Sequence, residues 1–447
     1  MRRVRWVVWV VACLACSRAS ADEDLAIPWK PPPDPTWEAL PQNDDEARAL
    51  TDREAVPNKL KPFDVSELLA LRADATRLVA GEAQIASAYD AWMNGDASKP
   101  SYLIFGTLHD SRAQIETVAS IVFRMKAPWG FALEQFRARG KWKDAPDTPS
   151  ADDADLATLT RAHAALDEGA MWRVTARQND LDHAAWKFGY VTSVANLIYA
   201  ARGASMPLVA CDLPPELRKN FTAGGAAESA LRELHCARAL HGAAIALAPA
   251  HPPTDAGLTD DDAMPPERYA ILVGANHAEP SGLPRFLGTK TNAARVVSVR
   301  VLGGRPRDAG GEETALASRL VVMDPVLVRG EHGAPDVLLL PDDAWSGTID
   351  RAIDRGDHDA PPAPAAGLPR HDVVVSSDEP ARFAIGDASV DVAKTTESLS
   401  VRAGHQPFVL TTKTRTIVGA IDVPEIGFAE ARFSPTAREL RVVVHAP

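Results

Sequence analysis

Short apolar runs closed by a polar or small residue recur through the first three quarters of the chain. They are Tyr102-Leu-Ile-Phe105, Phe131-Ala-Leu133, Pro207-Leu-Val-Ala-Cys211 and Tyr269-Ala-Ile-Leu-Val273. Such near-continuous runs read as strands of a parallel sheet buried on both faces. Helical patterns lie between them. Leu68, Leu69, Leu71 and Leu78 predict a helix over 66–79 that opens the domain. Ser111-Arg-Ala-Gln114 reads as a capping box before the stripe Ile115, Val118, Ala119, Val122 and Phe123. Further helices are expected over about 151–201, and an alanine-rich one over 226–248. Val296–Leu302, Leu320–Val328 and Val337–Leu340 supply more strands. After a stretch holding Pro361, Pro362, Pro364 and Pro369 the period shortens, and Arg382–Ile385, Phe408–Leu410, Thr414–Val418 and Leu440–Val444 read as β-type runs.

The fold class expected from this pattern is α/β, a central, mainly parallel sheet flanked by helices over 63–350. A linker at 351–370 would lead to a small antiparallel β-sandwich-like module over 371–447, which shows no cluster of nucleophiles or ligands. Residues 22–62, with Pro28, Pro31, Pro32, Pro33 and Pro35, read as an extended linker. Residues 1–21 read as an export signal, with Arg2, Arg3 and Arg5 before the apolar run Trp6 to Cys16. Two processing routes stand open. Ala19-Ser20-Ala21 suits cleavage before Asp22, whereas the stretches ending at Cys13 and Cys16 resemble bacterial lipobox endings. Two cysteines ahead of a tether-like linker favour the second, an envelope lipoprotein of the periplasm or outer membrane held by its lipid. The apolar run is too short to span a bilayer.

Composition narrows the partners. Lys+Arg 48 against Asp+Glu 60 gives a net charge of −12, and no basic run interleaves with aromatics, which argues against nucleic acid. Of the four cysteines, Cys211 and Cys236 remain past the leader, either bridged in an oxidising compartment or packed as two buried thiols.

The candidate chemistry sits where strands end. His109 follows the first run through Gly106-Thr107-Leu108, Glu134 follows the second directly, Asp212 the third, and His277 the fourth through Gly274-Ala275-Asn276. In open α/β sheets ligands bind outside the carboxyl ends of the strands. Glycine there lets the chain turn off the sheet and a ligand approach closely. His109, Glu134 and His277 would match a two-His, one-carboxylate site for a divalent transition metal. An activated water at such a site attacks an ester or amide; without metal, a histidine serves as general base. Asp212 is equally explained as a helix N-cap. His183, Trp186 and Tyr190 share a helical face, read either as core or as an aromatic wall for a planar ligand.

These segments resemble the Tiki superfamily, which includes haem-binding ChaN-like lipoproteins, TraB/GumN proteins and erythromycin esterase-like enzymes. Members share two G-x-x-H motifs and an intervening glutamate on an α/β scaffold. Gly106–His109, Glu134 and Gly274–His277 are their counterparts here, and Ala278-Glu-Pro-Ser-Gly-Leu-Pro-Arg285 is similar to the G-x-P-R of the ChaN-like branch. The resemblance covers about 100–345. Thr107 stands where that branch carries glutamate, and Asp212-Leu-Pro-Pro215 replaces its Asn-x-Pro-Arg. The resemblance implies haem, or a related iron-containing ligand, taken up at the envelope and held by a tyrosine between two subunits of a homodimer. Tyr190 is the candidate, with Trp186, Asn276 and Arg285 beside the ligand. The alternatives are a metal-dependent hydrolase of peptides or esters, and a degenerate domain kept for protein contacts.

Overall fold

The apolar runs become the middle of one large sheet because nothing along them tolerates water. The strands at Ser101–Thr107, Leu208–Asp212 and Arg268–Gly274 are buried at every position. This computed structural model describes residues 37–445 apart from 66–67, 69–74, 97, 109–110, 144–154, 156, 160, 162–167, 179–192, 195, 199, 202–203, 205, 241–244, 248–266, 288–293, 305–319, 342–347, 355–369, 394–395, 426–427 and 435–438. The expected leader with Cys13 and Cys16, His109, and the face carrying His183, Trp186 and Tyr190 lie outside the described residues.

In chain order the strands are β1 (Leu78–Ala80), β2 (Ser101–Thr107), β3 (Gly130–Arg137), β4 (Leu208–Asp212), β5 (Ile245–Leu247), β6 (Arg268–Gly274), β7 (Arg295–Gly303), β8 (Leu320–Val322), β9 (Val326–Val328) and β10 (Asp336–Leu340). Then come β11 (Thr348–Asp354), β12 (Arg370–Ser377), β13 (Ala381–Ile385), β14 (Ala388–Val392), β15 (Thr396–Arg402), β16 (Gly404–Thr412), β17 (Thr416–Val423), β18 (Phe428–Ser434) and β19 (Glu439–His445). The helices used below are α1 (Asp44–Glu54), α2 (Glu82–Asn94), α3 (Arg112–Arg124), α4 (Glu168–Gln178) and α5 (Ala226–Leu240).

The first sheet runs β1-β9-β10-β7-β2-β6-β3-β4-β5. Every neighbouring pair from β10 to β4 is parallel, and antiparallel pairs close both edges. The chain is therefore mixed α/β around a large mixed sheet with a parallel middle.

Two five-stranded sheets, β11-β19-β18-β12-β15 and β14-β13-β16-β17-β8, face each other across a second core. Val373, Val401 and Phe433 from one meet Phe383, Phe408 and Ile417 from the other. Their pairing departs from the antiparallel expectation: β11 with β19, β12 with β18 and β8 with β17 are parallel. Only strands joined by a tight hairpin must run antiparallel, and none of these pairs is so joined. Membership also crosses the boundary expected at 351–370, since β8 comes from before it and β11 runs into its first residues.

Several elements differ from the sequence pattern for local reasons. Leu320–Val328, read as one strand, breaks at Met323-Asp-Pro325 into β8 in the second system and β9 in the first. The Asp324 carboxylate accepts the Ala420 N–H and the Pro325 carbonyl accepts the Gly81 N–H, so each side of the break is fastened to a different sheet. Val322, Val326 and Leu339 then share a third apolar layer with Val409 and Val418, joining the two systems. Leu78, expected in a helix, lies in β1, and a helix missed by periodicity, α2, follows it. The alanine-rich helix, described over Ala226–Leu240, does not reach the expected 248, since Ile245–Leu247 is a strand paired with β4.

The Ser111 hydroxyl caps α3 as expected, accepting the Gln114 N–H at 3.3 Å. Gln114 does not complete the box. Its amide accepts the Leu108 N–H at 2.8 Å and donates to the Gly303 carbonyl at 2.8 Å, fixing the exit of β2 to β7.

Gly106 is needed for packing. A Cβ there would stand 2.7 Å from the Ala278 Cβ and 3.2 Å from the Ala275 Cα, in the turn that follows β6. Gly106→Ala should therefore cost about 1–3 kcal/mol through overpacking, read as a lower urea midpoint at unchanged m-value.

Candidate functional site

Because β2, β6, β3 and β4 are parallel neighbours, their carboxyl ends share one rim. Register places Thr107 opposite Gly274 and Leu133 opposite both Leu272 and Ala210. Glu134 thus leaves the paired part of β3 at the level where β6 and β4 end. After Gly274 the chain forms a 3₁₀ turn, Ala275–Ala278, that carries His277 back over the rim. Gly282 makes the next bend: a Cβ there would lie 2.6 Å from the His277 carbonyl oxygen. The bend sets a second 3₁₀ turn, Leu283–Phe286, which carries Arg285.

The rim is completed from α5 by two residues the sequence pattern did not single out. Arg232 Nε donates to Asp212 Oδ1 at 2.6 Å, and Arg232 Nη2 donates to Glu134 Oε1 at 2.8 Å. Glu233 Oε1 lies 2.9 Å from His277 Nδ1, while His277 Nε2 lies 3.4 Å from Glu134 Oε1. The Gly274 N–H donates to Glu134 Oε2 at 2.5 Å. Arg285 Nη2 is 3.7 Å from Glu233 Oε2, its guanidinium stacked 4.6 Å over the Phe286 ring. Exposure of these side chains is low: Glu233 7%, Asp212 8%, Glu134 10%, His277 16% and Arg232 22%.

The structure therefore brings Glu134, Asp212 and His277 together, with Gly274 as a backbone donor and Arg285 one layer out. Asn276 is exposed on the His277 turn, and Gly106 packs beneath it. His109, Trp186 and Tyr190 lie outside the described residues. Asp212 is not the N-cap it resembled. The short helix after it, Pro215–Arg218, begins from Pro214 with no side-chain cap, and the Asp212 carboxylate takes the Leu213 N–H at 2.8 Å as well as Arg232.

Cys211 and Cys236 are joined by a disulfide, with Cα atoms 4.3 Å apart. This bond held the missing signal. Asp212 follows Cys211, and Arg232 stands one helical turn before Cys236, so bridging the cysteines sets Arg232 beside Asp212. In an alanine-rich helix Arg232-Glu233 otherwise looks like ordinary solvated surface.

Electrostatics follow from the pairing. Burial by itself lowers the His277 pKa, but the Glu233 hydrogen bond and the charges of Glu134 and Glu233 outweigh it and hold the imidazole above its usual value. Burial likewise opposes the Arg232 charge, and Asp212 and Glu134 more than restore it. Among the described residues no group of three His, Cys, Asp or Glu side chains is placed to hold a metal ion. Arg232 already supplies positive charge to Glu134 and Asp212.

No family model matches this sequence, and no curated protein matches it. A solved structure described as that of the type III effector HopBA1 is similar at 10% identity and a TM-score of 0.32, covering 60% of this chain and 99% of that one. A score of that size assigns neither fold nor function.

Two stability measurements test the cluster. Arg232→Met leaves two nearly buried carboxylates without their cation and should cost about 3–5 kcal/mol, read by urea unfolding at pH 7. For His277 the sign runs the other way with pH. A group whose pKa is raised on folding stabilises fully below its unfolded pKa, about 6.5, and loses that contribution as pH rises through the folded value. The deficit of His277→Gln relative to wild type should therefore be largest below pH 6.5 and shrink in alkaline solution.

Proposed function

We propose that this chain is an exported, lipid-anchored protein with a ChaN/Tiki-like α/β domain and a sandwich-like accessory module, and that its rim cluster hydrolyses a peptide or ester bond without a metal. The observation that carries this reading is the setting of one imidazole. His277 lies between Glu233 at 2.9 Å from Nδ1 and Glu134 at 3.4 Å from Nε2. In the neutral ring Nδ1–H donates to Glu233, leaving the lone pair on Nε2. That nitrogen takes a proton from water as the water oxygen bonds to the carbonyl carbon. The imidazolium, steadied by both carboxylates, returns the proton to the departing alkoxide or amine as the C–O or C–N bond breaks. Glu134, tied by Arg232 and the Gly274 N–H, orients the ring and the water rather than exchanging protons itself.

The cofactors suggested by the resemblance fit these residues poorly. Glu134 already accepts the Arg232 guanidinium on Oε1 and the Gly274 N–H on Oε2, so a divalent metal bound there would sit against the positive charge of Arg232. Haem needs a flat apolar slot, whereas the described partners of Glu134 and His277 are charged groups and a backbone amide. Trp186 and Tyr190, on which haem binding and its homodimer rest, lie outside the described residues.

The test uses the full chain with p-nitrophenyl esters and fluorogenic peptides in the presence of EDTA. Turnover should persist, fall about 10²–10⁴-fold in His277→Ala, and rise with pH through a midpoint above 6.5, the base form appearing only past the raised pKa. Turnover unchanged in His277→Ala, or abolished by chelator, overturns the reading. So does its absence beside a saturable Soret band that Tyr190→Phe removes, an outcome that assigns the chain to haem binding.

A further inference from the structure

One stretch that the proposed chemistry does not use, part of the segment 22–62 expected to be an extended linker, packs instead on α5, on the chain beyond β3 and on the turn that carries Arg285. It begins at Trp37, which forms an isolated parallel bridge with Trp142 beyond the end of β3. The Trp37 N–H donates to the Lys141 carbonyl at 3.1 Å, and the Lys143 N–H to that of Glu38 at 3.2 Å. α1 then packs along α5, burying Ala47 and Leu50. At its amino end the Asp44 carboxylate accepts the Thr222 N–H at 3.1 Å and the Thr222 hydroxyl at 2.7 Å, just before α5 begins. Past α1 the Val56 N–H donates to the Arg285 carbonyl at 2.7 Å, and the Asn58 amide to that of Pro280 at 3.0 Å, in the segment after His277.

The grip on α5 is aromatic and charged. Trp37, 5% exposed, meets the rings of Trp142 and His235 edge-on at 5.3 and 5.4 Å. Trp142 Nε1–H donates to His235 Nδ1 at 3.1 Å. The Arg238 guanidinium lies 5.1 Å over Trp142 and 3.6 and 3.8 Å from Glu38 and Glu54. At helical spacing Arg232, His235 and Arg238 follow one another at intervals of three along one side of α5, while Glu233 lies roughly opposite His235. A helix moves as a rigid rod, so what fixes one turn positions the next.

We infer that residues 37–58 are a positioning strap, which clamps α5 at His235 and Arg238 and thereby holds Arg232 and Glu233, one turn earlier, against Glu134 and His277. The inference takes the rim as the functional site, as proposed above, and adds what holds that site in place. Closing the cluster then depends on the strap being seated.

The test reads the rim without requiring turnover. His277 is titrated by NMR in the full chain, with His277→Gln to assign its signal. In Trp37→Ala its pKa should fall back toward the ordinary value of about 6.5, as Glu233 draws away from Nδ1. Trp37→Phe, which keeps a ring on Trp142, should restore it. Phe433→Leu, in the second core, should lower stability and leave the titration in place, separating positioning from general loosening. Should Trp37→Ala fail to fold, Asp44→Ala frees only the start of α1 and carries the same expectation. A titration unmoved in these strap variants overturns the inference even if the chain is a working hydrolase. A moved titration in a chain without turnover sustains the strap and overturns the proposed hydrolysis.

Discussion

A guanidinium shared between two nearly buried carboxylates is the constraint on which the rim depends. Moving an ionised arginine or carboxylate out of water costs several kcal/mol per ion, and mutual attraction offsets this only when the geometry is close and each charge is hydrogen-bonded. Arg232 meets both conditions, at 2.6 Å from Asp212 and 2.8 Å from Glu134. The two carboxylates stand on β4 and β3, and the cation stands on α5. One side chain therefore fixes the helix to two strand ends. The Cys211–Cys236 bond fastens the same helix to the same strand by covalent means.

With that triangle in place, the charge on His277 follows. Glu134, Asp212 and Glu233 bring three negative charges to a small volume, and Arg232 answers two of them directly. Glu233 is left facing the imidazole, with Arg285 farther away at 3.7 Å. A proton on His277 is the nearest remaining compensation, which is why its pKa rises although burial opposes it. Packing makes the arrangement reachable. Gly106 lets the turn bearing His277 sit against β2, and Gly282 lets the chain double back under the His277 carbonyl.

Legibility in the sequence tracked how local the cause was. β2, β4 and β6 were readable because each is buried on both faces and so carries an unbroken apolar run. Glu134 and His277 were readable for the same reason, since they follow such runs. Arg232 and Glu233 were not, because a charged pair on an alanine-rich helix has one local pattern whether it faces solvent or a neighbouring carboxylate. The break of Leu320–Val328 was equally silent: both halves are apolar, and hydropathy does not say that they enter different sheets. Nor does a period of two carry strand direction, so β8, β11 and β12 gave no sign of their parallel partners.

By itself the sequence determined which segments had to leave water and which polar residues stood at their ends, because burial preference and side-chain period are properties of each segment alone. The tertiary structure decided which of those ends meet, what faces them from α5, and what holds α5 there. These are contacts between residues far apart in the chain. Their energies depend on distance and desolvation, quantities that exist only once the chain has folded.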